Sequence, residues 1–274
     1  MTLQKFELKN KIAIITGGGG LLGTMHAEAI AEAGGIPLLW DIYPEAATKK
    51  AKEIAKLYKI NAAAFQIDIT NEAEIKNVVL QILKNYGTID ILINNAANNP
   101  KMENNADVPW SRLENFPLEQ WQADINVGLT GAFLCSKVIG QEMQKRKKGV
   151  IVNIASDLAV IAPDQRIYKK ENTSPEKQPV KPVTYSVVKS GLVGLTKYLA
   201  TYWAEDGIRV NAISPGGVFN NQPEDFVKKL TNLIPMERMA KKDEYKGAIV
   251  FLCSDASSYM TGQNLIVDGG RTCW

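Results

Sequence analysis

The chain has 274 residues, 45% of them hydrophobic and 22% charged, with a formal net charge of +3. That is the make-up of a globular protein able to bury a sizeable core, and so small a charge gives no reason to expect nucleic acid or a membrane surface as partner. Three cysteines and a single histidine exclude a disulfide framework, a zinc site and Ser-His or Cys-His chemistry, so no metal is expected.

Short apolar runs at 12–15, 36–40, 62–66, 91–93, 150–154, 208–213 and 265–267 predict β-strands. Amphipathic segments at 22–33, 45–58, 71–86, 118–145, 185–204 and 242–254 predict the helices between them. Such alternation predicts an α/β fold, a Rossmann-like doubly wound sheet of about seven parallel strands with helices on both faces. There is no repeat, low-complexity tract or linker, so 1–274 reads as a single dinucleotide-binding domain. The N-terminal stretch lacks the apolar core of a secretory signal and no apolar run approaches a membrane span, so the expected location is cytoplasmic. His26, Cys135 and Cys253 fall in apolar helical patterns and read as packed side chains, and the basic run 145–148 reads as a helix end whose cations complement the carbonyl dipole.

The first strand runs into Thr16-Gly17-Gly18-Gly19-Gly20-Leu21-Leu22-Gly23 as a helix opens. Bare backbone there lets a pyrophosphate approach the amides and the positive end of the helix, which makes Gly17, Gly20, Leu22 and Gly23 candidate cofactor contacts. The second strand leads to Asp41, placed to accept hydrogen bonds from an adenosine ribose and to repel a 2′-phosphate. With no basic residue in the glycine loop, NAD is expected in preference to NADP. Later, Tyr185 and Lys189 stand four residues apart on a predicted helix, hence on one face. An ammonium beside a phenol stabilises the phenolate and lowers its pKa, so the pair is a candidate general acid/base.

These motifs resemble, in order, those of the short-chain dehydrogenase/reductase family over nearly the whole chain. Asp68-Ile69 follows the third strand like the family's adenine-edge pair, and Asn94-Asn95-Ala96-Ala97 follows the fourth like its Asn-Asn-Ala-Gly run. Asn126, Ser156, Pro215-Gly216-Gly217-Val218 and Val267-Asp268-Gly269-Gly270 match further positions. The resemblance implies that Asn126, Ser156, Tyr185 and Lys189 are catalytic: Tyr185 the acid/base, Lys189 its pKa modulator and ribose contact, Ser156 the substrate-orienting hydroxyl, Asn126 the link to solvent. It implies cofactor contacts from Asp68, Ile69, Asn95, Ala96, Tyr185, Lys189, Pro215 and Val218, and a homodimer or homotetramer packed through the helices carrying Asn126 and Tyr185. The glycine spacing is that of the family's longer branch, with Leu21 where the shorter branch has glycine, so a slightly different phosphate-loop geometry is expected.

Ser156 and Tyr185 are 29 positions apart, where the family has about a dozen, so 157–184 reads as a substrate-lid insertion. Its prolines predict an ordered loop, and Arg166, Lys169, Lys170, Lys177 and Lys181 outnumber Asp164, Glu171 and Glu176. A cationic lid suggests a small anionic substrate such as a sugar phosphate, nucleotide sugar or sugar acid. Ser156, Tyr185, Arg166 and Asn220 are the candidate substrate contacts, and Asn98, Asn99 and Asn221-Gln222 add amides suited to polyol hydroxyls. The lid and the Gly269–Trp274 ending are similar to those of a bacterial subgroup linked to flagellin modification and surface-sugar biosynthesis. Reduction of a non-carbohydrate ketone and a catalytically silent dinucleotide-binding scaffold are the alternatives, and the intact Asn126, Ser156, Tyr185 and Lys189 set weighs against silence.

Overall fold

The computed structural model describes residues 2–98 and 109–274. Seven strands, β1 (Ile12–Thr16), β2 (Ile36–Asp41), β3 (Ala63–Gln66), β4 (Ile91–Asn94), β5 (Gly149–Ile154), β6 (Ile208–Pro215) and β7 (Asn264–Val267), form one sheet in the order β3-β2-β1-β4-β5-β6-β7. Every pairing is parallel. The helices are α1 (Leu21–Glu32), α2 (Pro44–Tyr58), α3 (Glu72–Tyr86), α4 (Leu118–Ile125), α5 (Gly131–Lys145), α6 (Val183–Tyr202), α7 (Glu224–Thr231) and α8 (Lys246–Cys253).

Parallel strands covered on both faces must be apolar on both, and β1 is buried along its whole length. Its period of two divides the core: Ile12 and Ile14 join Leu38, Trp40 and Leu92 under α3, α5 and α6. Ala13 and Ile15 join Leu39 and Ile93 under α1, α2 and α8. Register keeps these layers aligned, with Ile14 opposite both Leu38 and Leu92. The doubly wound Rossmann-like architecture expected from the sequence is therefore present.

His26 is wholly buried in α1 without a hydrogen-bond partner among the described residues, and burial pushes its pKa down to about 3. It packs as a neutral ring. The basic run closes α5: Arg146 donates to Asp90 at 2.9 Å and Lys147 pairs with Asp206.

Most boundaries move by one or two residues, and three features differ more. The long helix predicted at 118–145 is interrupted by a wide π-type turn, Asn126–Thr130, between α4 and α5. That turn meets α6 closely, since a Cβ on Gly128 would lie 2.5 Å from Cγ1 of Val188. The helix predicted from 242 begins only at Lys246, because Glu244 is engaged by Arg238 and by the backbone N–H of Lys241. The short α7 carries too few turns for a periodic signal. Its Leu230 joins Ile234, Met239 and the lid residue Ile167 in a small separate core. Of segment 157–184, residues 157–182 form an ordered strap with 3-10 turns at Asp157–Ala159, Gln165–Tyr168 and Pro175–Lys177, the last two residues open α6, and the Tyr168 ring lies tilted, 5.6 Å from that of Phe226.

Candidate active site

Strand order reverses direction between β1 and β4, and such a reversal opens a crevice at the C-terminal ends of the strands. A cleft of about 650 Å³ occupies it. Asp41, Asp68 and Ile69, after β2 and β3, line its outer end; Gly17, Gly20, Leu22, Asn95 and Ala96, after β1 and β4, line the middle; and Tyr185, Lys189, Pro215 and Val218 line it toward β5 and β6. These residues from separate motifs thus share one groove, while Ser156 is buried just beside it, next to the lining residue Ala155. Gly23 lies behind it as a packing position, where a Cβ would come within 2.1 Å of the Gly17 carbonyl oxygen.

Neutral hydrogen bonds and one bond to a carboxylate hold the glycine loop. The Thr16 hydroxyl accepts from the N–H groups of Asn95 and Ala96, both at 3.0 Å, and the Asn95 amide donates to the carbonyls of Thr16 and Gly17 at 2.9 and 3.1 Å. The Asp41 carboxylate accepts from Gly19 N at 2.9 Å and Tyr43 N at 3.0 Å. A loop without side chains ahead of a helix N-terminus, with a carboxylate at the end of β2, fits a dinucleotide: backbone amides toward the pyrophosphate, Asp41 toward the ribose hydroxyls. Asp68 is held by Thr70, whose N–H and hydroxyl donate to it at 2.8 and 2.7 Å.

At the other end, α6 begins just after Pro182, a residue that suits a helix entrance, and presents Tyr185 and Lys189 on one face. The Tyr185 hydroxyl donates to Ser156 Oγ at 3.4 Å, and Ser156 Oγ donates to Asp157 Oδ1 at 2.8 Å. Lys189 donates to the Ile154 carbonyl at 2.7 Å, and its nitrogen lies 5.9 Å from the Tyr185 ring centre. Burial and, after it, the neighbouring Lys181 push the Lys189 pKa down to about 8. The Tyr185 phenol moves opposite to the sequence expectation: burial raises its pKa, with only its Ser156 hydrogen bond and Arg271 pulling it down. Lys189 spends its short contact on a carbonyl, which is why the expected lowering is not seen in the chain by itself.

Asn126 stands apart. Its side chain is exposed at the π-type turn and, among the described residues, bonds to neither Tyr185 nor Lys189. Two expected substrate contacts also face elsewhere. Arg166 is 79% exposed and grips Asp164 in a two-pronged pair that holds that carboxyl down at about 2. Asn220 is exposed, with its backbone N–H donating to Gln222, and it is Gln222 that reaches the cleft. Asn98 donates to Asp124 at 2.8 Å in a side cavity of about 140 Å³ that also touches Tyr185, while Asn99 lies outside the described residues. A further cavity of about 600 Å³, lined by the lid residues Pro163, Gln165 and Lys181 together with Ser111 and Ser190, contains none of Ser156, Tyr185 or Lys189.

The lid residue that does enter the site is Lys181, counted in the sequence only as one of five lid cations. Its ammonium sits 3.7 Å over the centre of the Tyr185 ring, and it lines both the cleft and the side cavity. Burial lowers its pKa to about 8, against a smaller upward pull from Asp157. Among the described residues no carboxylate lies within ion-pairing distance of it. Asp157 and Arg271, the latter legible in the sequence only as part of the Gly269–Trp274 ending, form a buried pair at 2.7 Å beside Ser156. They are 114 positions apart, and no local pattern joins them.

A family model described as enoyl-(acyl carrier protein) reductase matches residues 21–272. An NADP-dependent mannitol dehydrogenase of Alternaria alternata is 35% identical over 272 residues, spanning 97% of this chain and 93% of that protein. An NAD-dependent glycerol dehydrogenase of Listeria innocua is 34% identical, spanning 98% and 96%. The crystal structure of a gluconate 5-dehydrogenase from Burkholderia cenocepacia, in complex with NADP and tartrate, matches with a TM-score of 0.86 at 28% identity, covering 100% of both chains.

Proposed function

The chain belongs to the short-chain dehydrogenase/reductase family, and from that premise we propose that it interconverts a secondary alcohol and a ketone on an anionic carbohydrate, with NAD as preferred dinucleotide. The bound nicotinamide supplies or removes the hydride. Tyr185 moves the proton: as phenolate it takes one from the substrate hydroxyl in oxidation, and as phenol it returns one to the ketone oxygen in reduction. The Lys189 ammonium faces the same side of α6 and favours the phenolate as the proton leaves. Ser156 orients the substrate oxygen against Tyr185, and Asn126 links this end of the helix to solvent.

One observation carries the anionic substrate, namely a half-buried ammonium, Lys181, beside Tyr185 and without a carboxylate partner among the described residues. A desolvated cation is costly unless an anion joins it, so a carboxylate or phosphate on the substrate is the natural complement. Relatives named for gluconate, mannitol and glycerol support a carbohydrate, and gluconate is a sugar acid. Asp41 supports NAD, although those relatives are divided between NAD and NADP. Exposed aromatic side chains on α5 and α6, Phe133, Tyr198 and Tyr202, support association through those helices as a dimer or tetramer. Three unpaired cysteines support a cytoplasmic setting, where thiols stay reduced. A place in flagellin- or surface-glycan biosynthesis rests only on the likeness of the lid and the C-terminal residues.

The test follows reduced-nicotinamide absorbance with D-gluconate, 6-phosphogluconate, D-mannitol and glycerol, each with NAD and NADP. We expect an acid sugar to be oxidised best, with NAD. Lys181→Met then lowers kcat/KM roughly ten- to a hundredfold for that sugar, the cost of a charged hydrogen bond, and little for mannitol. Equal loss on both, or preference for mannitol in the native enzyme, defeats the anionic reading.

A further inference from the structure

We propose that Arg271 is a positioning residue for this site: through Asp157 it holds the Ser156 hydroxyl as an acceptor facing Tyr185. The inference rests on the reading of Ser156 and Tyr185 given above and extends it to two residues outside their motifs.

The geometry is a continuous line. Arg271 Nη1 donates to Asp157 Oδ2 at 2.7 Å, while the other carboxylate oxygen, Oδ1, accepts from Ser156 Oγ and from Leu158 N, both at 2.8 Å. Ser156 Oγ has one proton to give, and giving it to Asp157 leaves its lone pairs to receive Leu158 N at 3.2 Å and Tyr185 OH at 3.4 Å. The whole line is buried, with Ser156 at 4%, Asp157 at 3% and Arg271 at 7% exposure. A buried carboxylate with one charged partner is a rigid fixture, and removing that partner strands the charge.

The placement of Arg271 is itself secured. β7 ends in a turn where Gly269 and Gly270 adopt positive φ, 69° and 89°. Asp268 closes that turn by accepting from the N–H groups of Gly270 at 2.9 Å and Thr272 at 2.8 Å. The arginine is thereby aimed back from β7 toward the end of β5, although the segments are distant in sequence.

Asp157 and substrate compete for the single Ser156 proton. Ser156 donates to a substrate oxygen only when it turns from Asp157, so the pair sets how readily that happens. It also places a cation and an anion near Tyr185, with opposite effects on the phenol: Arg271 favours ionisation and Asp157 opposes it. The other groups facing Tyr185 are Lys181 and Tyr168 of the lid, Lys189 on α6 and, across the side cavity, Asp124 of α4. Of these, Lys181 also feels Asp157, and Tyr168 feels both members of the pair, so their titrations shift with it and are removed by the difference against each Tyr185→Phe counterpart.

The test compares Arg271→Met, Arg271→Lys, Asp157→Asn and the double variant Arg271→Met/Asp157→Asn. Tyr185 ionisation is read as phenolate absorbance, taking the difference between each protein and its Tyr185→Phe counterpart, which needs no substrate. We expect Arg271→Met to move the Tyr185 titration to higher pH and Asp157→Asn to lower pH, each by roughly half a unit to one unit. The double variant should fall between them and Arg271→Lys near native. With D-gluconate and NAD, kcat should fall about ten- to a hundredfold in Arg271→Met, more than KM changes, and recover in Arg271→Lys. A merely structural pair would lower thermal stability without opposite titration shifts. Shifts of the same sign, or none, in Arg271→Met and Asp157→Asn overturn the inference, and if Arg271→Met folds poorly, so does an Asp157→Asn titration that fails to move to lower pH or a double variant that lies below it. If native protein does not oxidise D-gluconate but the titrations still diverge, the substrate reading has failed and the positioning pair stands.

Discussion

The two ends of the cleft are built from different materials. At the dinucleotide end, Thr16, Gly17, Asn95 and Ala96 are joined by neutral hydrogen bonds, all involving backbone, at the ends of two adjacent strands, with the Asp41 carboxylate on Gly19 N as the one charged contact. At the substrate end, Lys181, Lys189, Asp157 and Arg271 crowd one phenol and arrive from the lid, α6, the end of β5 and the turn after β7. Neutral backbone bonds lose little on burial because their partners are fixed by the fold, whereas buried charges are costly unless each is answered. The first end is a mould and the second a set of charges in which Lys181 has no carboxylate partner among the described residues.

The sharpest separation of the two ends is Tyr185→Phe. It keeps the aromatic face beneath Lys181 and removes only the proton-carrying oxygen. We expect turnover to fall about 10²–10⁴-fold with dinucleotide affinity unchanged in a fluorescence titration. Retained turnover would move the proton transfer elsewhere. Next in size is Gly23→Ala, whose Cβ would press to 2.1 Å from the Gly17 carbonyl oxygen. Such overpacking costs about 1–3 kcal/mol, visible as a lower melting temperature, and should weaken dinucleotide binding while leaving the Tyr185 titration in place. Native affinity in that variant would mean the mould is pliable.

The smallest expected effect is one of pH. Lys181 has a folded pKa lowered to about 8 by burial. It is cationic below that value, so affinity for an acid sugar is complete below about pH 8 and declines above it, while KM for mannitol stays flat. In the folded chain this lysine holds fewer protons than in the unfolded chain between about pH 8 and 10.5, so its contribution to stability rises with pH through that window as affinity falls. Lys181→Arg, which stays charged, should abolish the decline in affinity. Parallel KM profiles for D-gluconate and D-mannitol would show that Lys181 does not meet the anion.

The same contrast explains what could be read from residue order. Gly17, Gly20, Asp41 and Asn95 are legible because each sits at a strand end whose apolar run announces it, and Tyr185 and Lys189 because helical spacing is local. The lid was recognisable as an insertion with a cationic bias, but which cation turns inward was not. Arg166 has Asp164 two residues away and is satisfied at the surface, whereas Lys181, next to Pro182 at the start of α6, has its direction set by the helix. Arg271 and Asp157 pair across the fold, and α7 exists to cover Ile167, contacts that no short window contains. The π-type turn after Ile125 was hidden for a similar reason, since its close neighbour Val188 belongs to another helix.

The strap between β5 and α6 has a consequence for how such a protein can diversify. Both its ends are anchored on elements of the main core, at Ile154 and at Val183, while its middle rests on the small cluster shared with α7. The middle of the strap can therefore be exchanged together with α7 while the sheet, Tyr185 and Lys189 stay unaltered. The same joints mark where two relatives could be spliced in the laboratory.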